Sequence, residues 1–313
     1  MSVPPQRTAP RRSGVHGLNS AADIYRLKRR AGLRKALGGL DYSRCVEYPE
    51  VLNRLELECA SRVLEIGSSR LFLAPYIAVR HGLEVHATDQ DPIVMLQKSW
   101  IRRLGHAELL DSGRFVAARE DATCLTYPDE SFDRIVCVST IEHIPDTERA
   151  AREIARVLEP GGLAAFTVPY SKRAREVHLD HGFYGKPYSG TPLFYEYIFD
   201  RSMLESKLIL PSRLEVVSLT FLGEPGVKAS EIVFHPVLGK PLSLVRWLWP
   251  WAAGLFLKPI DERQVSEGTE NVAVLVLRKR CRERPGKAGR SSGAANGGGS
   301  RARAGVRPGP RRS

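Results

Sequence analysis

Polar clusters follow four successive predicted β-strands, at the point where each strand ends. They are Glu65-Ile66-Gly67-Ser68-Ser69-Arg70, Asp89-Gln90-Asp91, Arg119-Glu120-Asp121-Ala122 and Ser139-Thr140-Ile141-Glu142-His143. A glycine after a strand permits a tight turn and lets a ligand approach the backbone. The carboxylate of Asp89, 22 positions after Gly67, suits hydrogen bonding to the two hydroxyls of a ribose. Each cluster alone is compatible with an ordinary turn, but the four together predict a nucleoside-containing ligand.

The elements that must position these clusters alternate between strand and helix. The predicted strands are residues 62–66, 83–89, 114–118, 132–138 and 163–168, and the predicted helices are residues 72–81, 92–103 and 146–158. This alternation is typical of βαβ units on a parallel sheet, whose ligands bind beyond the carboxyl ends of the strands. Two later strand-like runs, 213–222 and 271–279, complete an α/β, doubly wound sheet with an appended hairpin-like pair.

The formal net charge of +12 is concentrated at the two ends of the sequence. Residues 1–35 carry +8 and residues 278–313 carry +11, so residues 36–277 carry the remaining −7. A nucleic-acid-binding domain is expected to place its positive charge on folded elements. The distribution therefore argues against nucleic acid as a partner.

Composition divides the chain into a domain and two basic ends. Residues 1–20 and 283–313 are rich in Arg, Gly, Ser and Pro with little to bury, which predicts a disordered arm and a disordered tail. Residues 21–282 are predicted to form one domain, with a lid insertion at 169–211 and a second insertion at 222–271. The five scattered cysteines lack a CxxC pair, and no apolar signal region is found at residues 1–20, so we expect a cytoplasmic location.

The most apolar window is residues 237–257, but lysine, arginine and proline interrupt it, so it is not expected to span a membrane. Trp247, Trp249 and Trp251 lie beside Arg246 in this window. Aromatic residues next to cations suit a membrane interface, and they predict peripheral contact with the inner face of a membrane. A helix packed over the sheet or in a dimer contact is the alternative, and the oligomeric state stays open.

The motifs, taken in order, resemble those of the class I S-adenosylmethionine-dependent methyltransferases, and most of all the methyltransferase type 11 group. The resemblance rests on VLEIGSSR, EVHATDQDP, REDATCLTYPDESFDRIVCVSTIEHIPD and ARVLEPGGLAAFTVP and covers about residues 45–170. It implies S-adenosyl-L-methionine as cofactor. It also implies a Rossmann-like sheet of seven strands, mostly parallel with the last strand antiparallel, and helices on both faces.

The resemblance implies that Glu65 and Gly67 line the methionine end of the cofactor, with Ser68 nearby through its backbone. It also places Ser139 beside the methionine moiety, at the mouth of the site. The family usually has two further glycines in the first loop, where this chain has Ser69 and Leu71. This departure leaves open a catalytically inactive relative.

The other end of the cofactor is assigned in the same way. The resemblance implies that Asp89 holds the ribose hydroxyls and that Gln90 flanks the adenine. It implies that Asp121 meets the adenine amino group and that Ala122 offers its backbone amide.

Methyl transfer from a sulfonium requires alignment of the reacting atoms and, for many acceptors, removal of a proton. His143 is a candidate base because an imidazole with an ordinary pKa of about 6.5 suits this task, although it could merely hold its own loop. His181 or His178 is predicted to face the pocket as an acid or base. Ser139 stands where metal-dependent relatives have a first glutamate, so no metal is expected. Aromatic residues that could stack on an acceptor are Tyr184, Tyr188, Phe194, Tyr195, Tyr197 and Phe199.

These features predict a methyltransferase that acts on a small-molecule acceptor or on one linked to a lipid or glycan, with oxygen as the favoured target. The alternative is a catalytically inactive methyltransferase-fold protein that serves as a membrane-associated interaction module. The acceptor itself is not predicted by any motif.

Overall fold

The computed structural model describes residues 19–32, 40–182, 189–233, 246–265 and 271–281. Chain contacts divide the protein into a unit of residues 1–281 and a unit of residues 282–313. The predicted basic tail lies outside the described residues, as does all but the last part of the predicted basic arm.

Eight of the ten described strands form one sheet. The strands are β1 (Arg62–Ile66), β2 (Glu84–Asp89), β3 (Phe115–Arg119), β4 (Phe132–Val138), β5 (Leu158–Pro169), β6 (Arg175–Leu179), β7 (Leu193–Ile198), β8 (Glu215–Gly223), β9 (Lys258–Ile260) and β10 (Val272–Arg278). The order in the large sheet is β3-β2-β1-β4-β5-β10-β8-β9, and β6 and β7 form a separate antiparallel hairpin. Strands β1 to β5 run parallel, while β10 lies antiparallel between β5 and β8.

Helices flank the sheet. They are α1 (Ala21–Arg30), α2 (Arg44–Leu52), α3 (Leu73–His81), α4 (Gln97–Arg103), α5 (Glu108–Asp111), α6 (Thr147–Val157), α7 (Arg201–Leu204), α8 (Leu210–Ser212), α9 (Ala229–Val233) and α10 (Trp249–Phe256). A π-helical turn, Glu205–Ile209, joins α7 to α8. Single turns of 3₁₀-helix at Pro92–Leu96 and Ile141–His143 follow β2 and β4.

The fold class predicted from the sequence is confirmed, including the antiparallel last strand. The sheet has eight strands and not seven because β9 pairs with β8 at the edge. The sequence does not predict β9, since this strand has three residues and contains Pro259, which lacks the amide that a ladder needs. Proline is tolerated here because β9 is the last strand of the sheet.

The core lies in two layers, one on each face of the sheet. Alternate side chains of a strand point to opposite faces, so Val63 belongs to one cluster and the adjacent Leu64 to the other. Helices α1 to α5, α9 and α10 contribute to the first cluster, and α6, α7 and the π-helical turn contribute to the second. Both faces are thereby covered, and the carboxyl-terminal edge of the parallel strands stays available for a site.

Helix α1 is fixed to α3 by polar contacts as well as by packing. Asp23 accepts two hydrogen bonds from the guanidinium of Arg80, both 3.0 Å long, and one of 2.8 Å from the hydroxyl of Tyr76. Bidentate arginine–carboxylate pairs define orientation as well as distance. The contacts therefore hold α1 at a defined position on the domain surface.

Candidate active site

A cavity of about 1650 Å³ lies beyond the carboxyl ends of β1 to β5. The beginning of α2 and the β6–β7 hairpin complete its walls. Six residues with a predicted cofactor role border it: Gly67, Asp89, Gln90, Asp121, Ala122 and Ser139. The strand-end clusters, separate in sequence, therefore meet around one space.

The loop after β1 is shaped by left-handed backbone conformations. Gly67 has φ +75°, and a Cβ at this position would lie 2.1 Å from the side chain of Thr140. Only glycine fits this approach between the loops after β1 and β4. Ser69 has φ +41°, at one of the positions where the family usually has glycine. The loop therefore keeps a glycine-like path at Ser69 despite the serine.

Glu65 and Ser68 lie beneath this loop and do not border the cavity, so the expectation that Glu65 lines the methionine end is corrected. The carboxylate of Glu65 accepts hydrogen bonds from the Ser68 hydroxyl and, at 2.9 Å, from the Ala74 amide at the start of α3. Gln97 donates to the carbonyls of Ser68 and Ser69, both at 3.1 Å. Burial raises the pKa of Glu65 to about 7. Glu65 and Ser68 support the loop from below.

Asp89 faces the cavity with both carboxylate oxygens already oriented by backbone amides. Oδ2 accepts from the Ser69 amide at 3.0 Å, and Oδ1 accepts from the Asp91 amide at 2.8 Å. A carboxylate oxygen has more than one lone pair, so both oxygens can accept further hydrogen bonds from a ligand. The side chain is half-buried, and this burial raises its pKa. The arrangement suits a diol at this strand end.

Beyond Asp89, the loops after β2 and β3 are joined to each other. The carbonyl of Gln90 accepts a hydrogen bond of 3.1 Å from Nε of Arg119. Asp121 is exposed and accepts from the amide and the hydroxyl of Thr123, both at 2.8 Å. Ala122 is buried and borders the cavity. A flat ring placed here would lie between the two loops.

A polar network connects α2 to the ends of β4 and β5. The Ser139 hydroxyl accepts from Arg44 and donates to Glu47 at 3.1 Å, and its amide donates to the Thr167 carbonyl at 3.0 Å. Arg44 also pairs with Glu47, which is 1% exposed. The sequence gives no sign of this role, since an arginine and a glutamate three apart usually form a solvated pair on a helix surface. Arg44 and Glu47 are therefore residues that sequence reasoning missed.

His143 lies in the 3₁₀ turn after β4 and borders the cavity. Its Nδ1–H donates to the carbonyl of Tyr195, 2.9 Å away, because a carbonyl can only accept. Burial lowers the pKa of His143, so the ring is neutral at pH 7 and its Nε2 carries the lone pair. The structure thus places His143 at the cavity, and its role as a base remains a prediction.

Two carboxylates flank Nε2 of His143. Oε1 of Glu142 and Oε2 of Glu196 each lie 4.0 Å from it. Glu142 is 2% exposed, and its Oε2 has no hydrogen-bond partner among the described residues. Burial raises the pKa of both carboxyl groups. This part of the cavity is therefore rich in groups that could meet a hydroxyl-bearing acceptor.

The structure does not bring His178 or His181 to the cavity, which corrects the expectation that one of them faces it. The ring of His181 is 67% exposed, and its Nδ1 lies 3.3 Å from Asp180. His178 packs edge-on against Phe194 of the paired strand, with ring centroids 5.8 Å apart. The expectation rests only on the chemistry of histidine, because neither residue stands at the end of a predicted strand, where its position would be defined.

The predicted aromatic residues separate into three groups. Phe194 and Tyr195 border the cavity, whereas Tyr197 and Phe199 are buried in the core. Tyr184 and Tyr188 lie outside the described residues. Within residues 169–211, where the sequence predicts a lid, the structure describes the paired strands β6 and β7, and the helical segment after them packs against α6.

The wall of the cavity is acidic overall. Its acidic residues are Asp41, Glu47, Asp89, Asp91, Glu120, Asp121, Glu142 and Glu196, and its basic residues are Arg44, Arg70, Arg119 and Arg175. An excess of carboxylates favours a cationic ligand such as a sulfonium and disfavours a phosphate backbone. The charge of the site thus agrees with the sequence argument against nucleic acid.

Metal binding and membrane insertion each require a recognisable arrangement of residues. Within the described ranges, no cluster of three or more histidine, cysteine, aspartate or glutamate side chains is arranged to hold a metal ion. Among the same residues, no helix combines the length and the apolarity that crossing a bilayer requires.

Comparison with known proteins identifies the class. Residues 64–166 match the sequence model of a family described as a methyltransferase domain, of type 11. Residues 64–166 are therefore similar to the methyltransferase domains of the class I S-adenosylmethionine-dependent enzymes, in agreement with the motifs quoted from the sequence.

Three relatives illustrate the range within this class. Methyltransferase GfsG of Streptomyces halstedii is 32% identical over 117 residues, 37% of this chain and 40% of that protein. The 27-O-demethylrifamycin SV methyltransferase of Amycolatopsis mediterranei is 34% identical over 112 residues, 36% of this chain and 39% of that protein. The ubiquinone/menaquinone biosynthesis C-methyltransferase UbiE of Azotobacter vinelandii is 28% identical over 156 residues, 47% and 59% of the two chains. The chain thus spans 39% to 59% of the length of these relatives.

Proposed function

We propose that the protein transfers a methyl group from S-adenosylmethionine to a hydroxyl oxygen of a small molecule, or of an acceptor linked to a lipid or glycan. The observation that supports the proposal is that one cavity is lined both by the carboxylate of Asp89, which is oriented to accept hydrogen bonds from a diol, and by the neutral imidazole of His143. Relatives methylate either oxygen or carbon by name, so the target atom is argued from His143.

The residues present fit the cofactor. S-adenosylmethionine supplies, when bound, an electrophilic methyl group on a sulfonium sulfur. Asp89 would accept from the ribose hydroxyls, while Gln90, Asp121 and Ala122 would bound the adenine. Gly67 and Ser139 would border the methionine chain, at the loops that approach each other through Gly67 and Thr140.

The cavity has room for a second ligand. Ligand pockets for drug-sized molecules are about 300–1,000 Å³, and this cavity is about 1650 Å³. The part beyond Ser139 is lined by His143, Glu196 and the aromatic residues Phe194 and Tyr195. An acceptor placed there lies between the cofactor side of the cavity and the hairpin.

The proton of the acceptor hydroxyl is assigned to Nε2 of His143. With both ligands bound, the acceptor oxygen would take the methyl group that the sulfonium supplies, and Nε2 would take the proton that this oxygen gives up. The carbonyl of Tyr195 keeps the other ring nitrogen protonated, so Nε2 is the atom that can accept. S-adenosylhomocysteine and the methyl ether are the products.

Isothermal titration calorimetry with S-adenosylmethionine tests the cofactor half of this proposal. The wild-type chain should bind with heat at micromolar concentrations, and Asp89→Asn should weaken binding at least about tenfold, since a charge-assisted hydrogen bond is worth about 1.5–3 kcal/mol. Asp111→Asn is the matched control, because Asp111 ends α5 and does not border the cavity. Absence of heat for the wild type would refute the proposed methyltransferase activity and favour the inactive interaction module. Equal affinity of Asp89→Asn and wild type would show that the cofactor does not bind at Asp89.

A further inference from the structure

The segment around α10 presents apolar side chains to the surface. Trp247, Leu248, Trp251 and Leu255, here called the tryptophan face, are 46%, 41%, 50% and 66% exposed. Trp251 and Leu255 are four positions apart and therefore lie on one side of α10, while Trp247 and Leu248 lie in the 3₁₀ turn directly before it. The tryptophan face has no part in the proposed reaction.

The opposite side of α10 is part of the core, so the helix is held in place. Ala253 is fully buried, and Trp249 packs edge-on against Tyr42 with ring centroids 5.3 Å apart. Trp251 packs in the same way against Tyr25 of α1, at 5.5 Å. The exposure of the tryptophan face is thus a property of a fixed helix.

Positive charge borders the tryptophan face. Arg29 lies four residues after Tyr25 and so shares the side of α1 that meets Trp251. Arg26, Arg29 and Arg30 are exposed, and none of them forms an ion pair within the part of the chain that the structure describes. Helix α1 is itself fixed by the Asp23–Arg80 contacts. Arg29 therefore stands on the side of α1 that meets Trp251, and Arg26 and Arg30 add exposed positive charge to the same fixed helix.

The tryptophan face together with Arg26, Arg29 and Arg30 is here called the α1–α10 surface. We propose that this surface docks the protein on an anionic phospholipid bilayer, with the tryptophan face at the level of the headgroups and the α1 arginines on the lipid phosphates. Indole rings favour the interface between water and lipid because they are apolar with one polar N–H. Arginine near the surface of a bilayer is attracted by anionic lipid headgroups. The α1–α10 surface supplies both at once. The inference does not depend on the proposed reaction.

Docking would place lipid next to the cavity. Tyr42, which packs on Trp249, lies between Asp41 and Ser43, and both of those residues border the cavity. The hydroxyl of Tyr42 also donates to the buried Glu224 at 2.5 Å. The docking helix is thereby in contact with the cavity rim, which favours an acceptor that is itself carried by lipid.

Vesicle flotation of the full chain tests the proposal. The wild type should float with vesicles of phosphatidylcholine containing about 30% phosphatidylglycerol and should not float with phosphatidylcholine alone. Trp247→Ala/Trp251→Ala should weaken binding at least about tenfold, because both rings leave the interface. Leu210→Ala/Val217→Ala is the control, since those side chains are 71% and 47% exposed away from α10. Arg26→Glu/Arg29→Glu should also weaken vesicle binding at least about tenfold. Arg149→Glu/Arg152→Glu of α6 is the control for this change of charge.

Tryptophan fluorescence separates docking from attraction of the basic ends. Three of the four tryptophans belong to this segment, and the fourth, Trp100, is buried. Brominated lipids in the same vesicles should therefore quench emission if the tryptophan face enters the interface. Flotation without quenching, or equal flotation of the double tryptophan variant, would show that the charged ends bind alone and would overturn the proposal. A wild-type dimer that becomes monomeric in this variant and does not float would assign the face to a second copy, which also overturns it.

Discussion

The two sides of the cavity are built in different ways. The side proposed to hold the cofactor, here called the cofactor side, consists of loops that directly follow β1, β2 and β3, and its key contacts join neighbouring loops, such as the Ser69 amide to Asp89. The acceptor side is assembled from distant segments. There His143 meets the carbonyl of Tyr195 in the β6–β7 hairpin, and Ser139, at the boundary with the cofactor side, meets Arg44 of α2.

The difference explains where this protein can vary. The cofactor side depends on backbone conformation and on side chains fixed within one or two βα turns. The acceptor side depends on α2 and the hairpin, which carry no motif of the family. A carboxyl oxygen of Glu142 is buried there without a partner among the described residues. We infer that the cofactor side is common to the class and that the acceptor side belongs to this chain's own substrate.

The largest effect that separates the two sides is expected at His143. The variant His143→Gln should lower kcat by about 10²–10⁴, because general base catalysis is worth that much, while the affinity for S-adenosylmethionine measured by calorimetry stays unchanged. Methyl transfer from radiolabelled cofactor to a panel of hydroxylated acceptors is the measurement. His106→Gln is the control, since His106 is a half-exposed histidine paired with Glu108 far from the cavity. A loss of cofactor binding in His143→Gln would show that His143 belongs to the cofactor side as well, and would contradict the division of the cavity into two sides.

The same residue sets a pH dependence. Burial lowers the pKa of His143 below its ordinary value of about 6.5. A base must be unprotonated, so kcat/KM should fall only as the pH drops below about 6.5 and should be level above it on this limb. An acid limb centred above about pH 7 would contradict the neutral imidazole.

The cofactor side should respond most to Gly67→Ala. A left-handed φ costs a residue with a Cβ about 1–2 kcal/mol, and the Cβ would in addition collide with Thr140. We expect about 3 kcal/mol lower free energy of unfolding, by urea titration, and loss of measurable cofactor binding. Gly82→Ala separates the two causes, because Gly82 has φ +68° and no atom lies within 4 Å of the place that a Cβ would take. This variant should cost about 1 kcal/mol and leave binding intact. Equal behaviour of the two variants would mean that the approach to Thr140 is unimportant.

The sequence predicts one side of the cavity much better than the other, for a physical reason. Gly67, Asp89 and Asp121 stand at fixed distances from predicted strands, and parallel strands end at one edge. Arg44 and Glu47 have no such constraint, since their role follows from how α2 packs over β4 and β5. His181 shows the converse error, because residue type alone suggests chemistry where the hairpin places an exposed side chain.

A third test probes the support beneath the cofactor loop. Burial raises the pKa of Glu65 from 4.5 to about 7, so the folded state binds this proton more tightly than the unfolded state does. Stability from this group is therefore present below about pH 4.5 and is lost as the pH rises to about 7, by roughly 3 kcal/mol in all. Glu65→Gln should remove this change, so the difference in unfolding free energy between wild type and variant should shift by about 2–3 kcal/mol between about pH 5 and pH 8.

The control for this measurement is Glu50→Gln, whose side chain pairs with Arg54 at the surface of α2 and away from the cavity. A change with pH that occurs in Glu65→Gln and not in this variant is thereby assigned to Glu65. If Glu65→Gln also leaves the pH dependence unchanged, Glu65 is ionised in the folded protein throughout that interval and its support of the loop is electrostatic.

The smallest effect is expected at two serines that both have φ +41°: Ser69 in the cofactor loop and Ser139 at the boundary between the two sides of the cavity. The hydroxyl of Ser69 makes no hydrogen bond to any described residue, whereas that of Ser139 contacts Arg44 and Glu47. Ser69→Gly should therefore raise the free energy of unfolding by about 0.5–1 kcal/mol, since relief of backbone strain exceeds the added freedom of the unfolded chain. Ser139→Gly should lower it by about 1 kcal/mol, because buried partners lose a hydrogen bond. Opposite signs in urea titrations, with cofactor affinity kept in Ser69→Gly, would show that the serine at the family's glycine position leaves the cofactor side functional; a gain in affinity above about tenfold would show instead that Ser69 obstructs it.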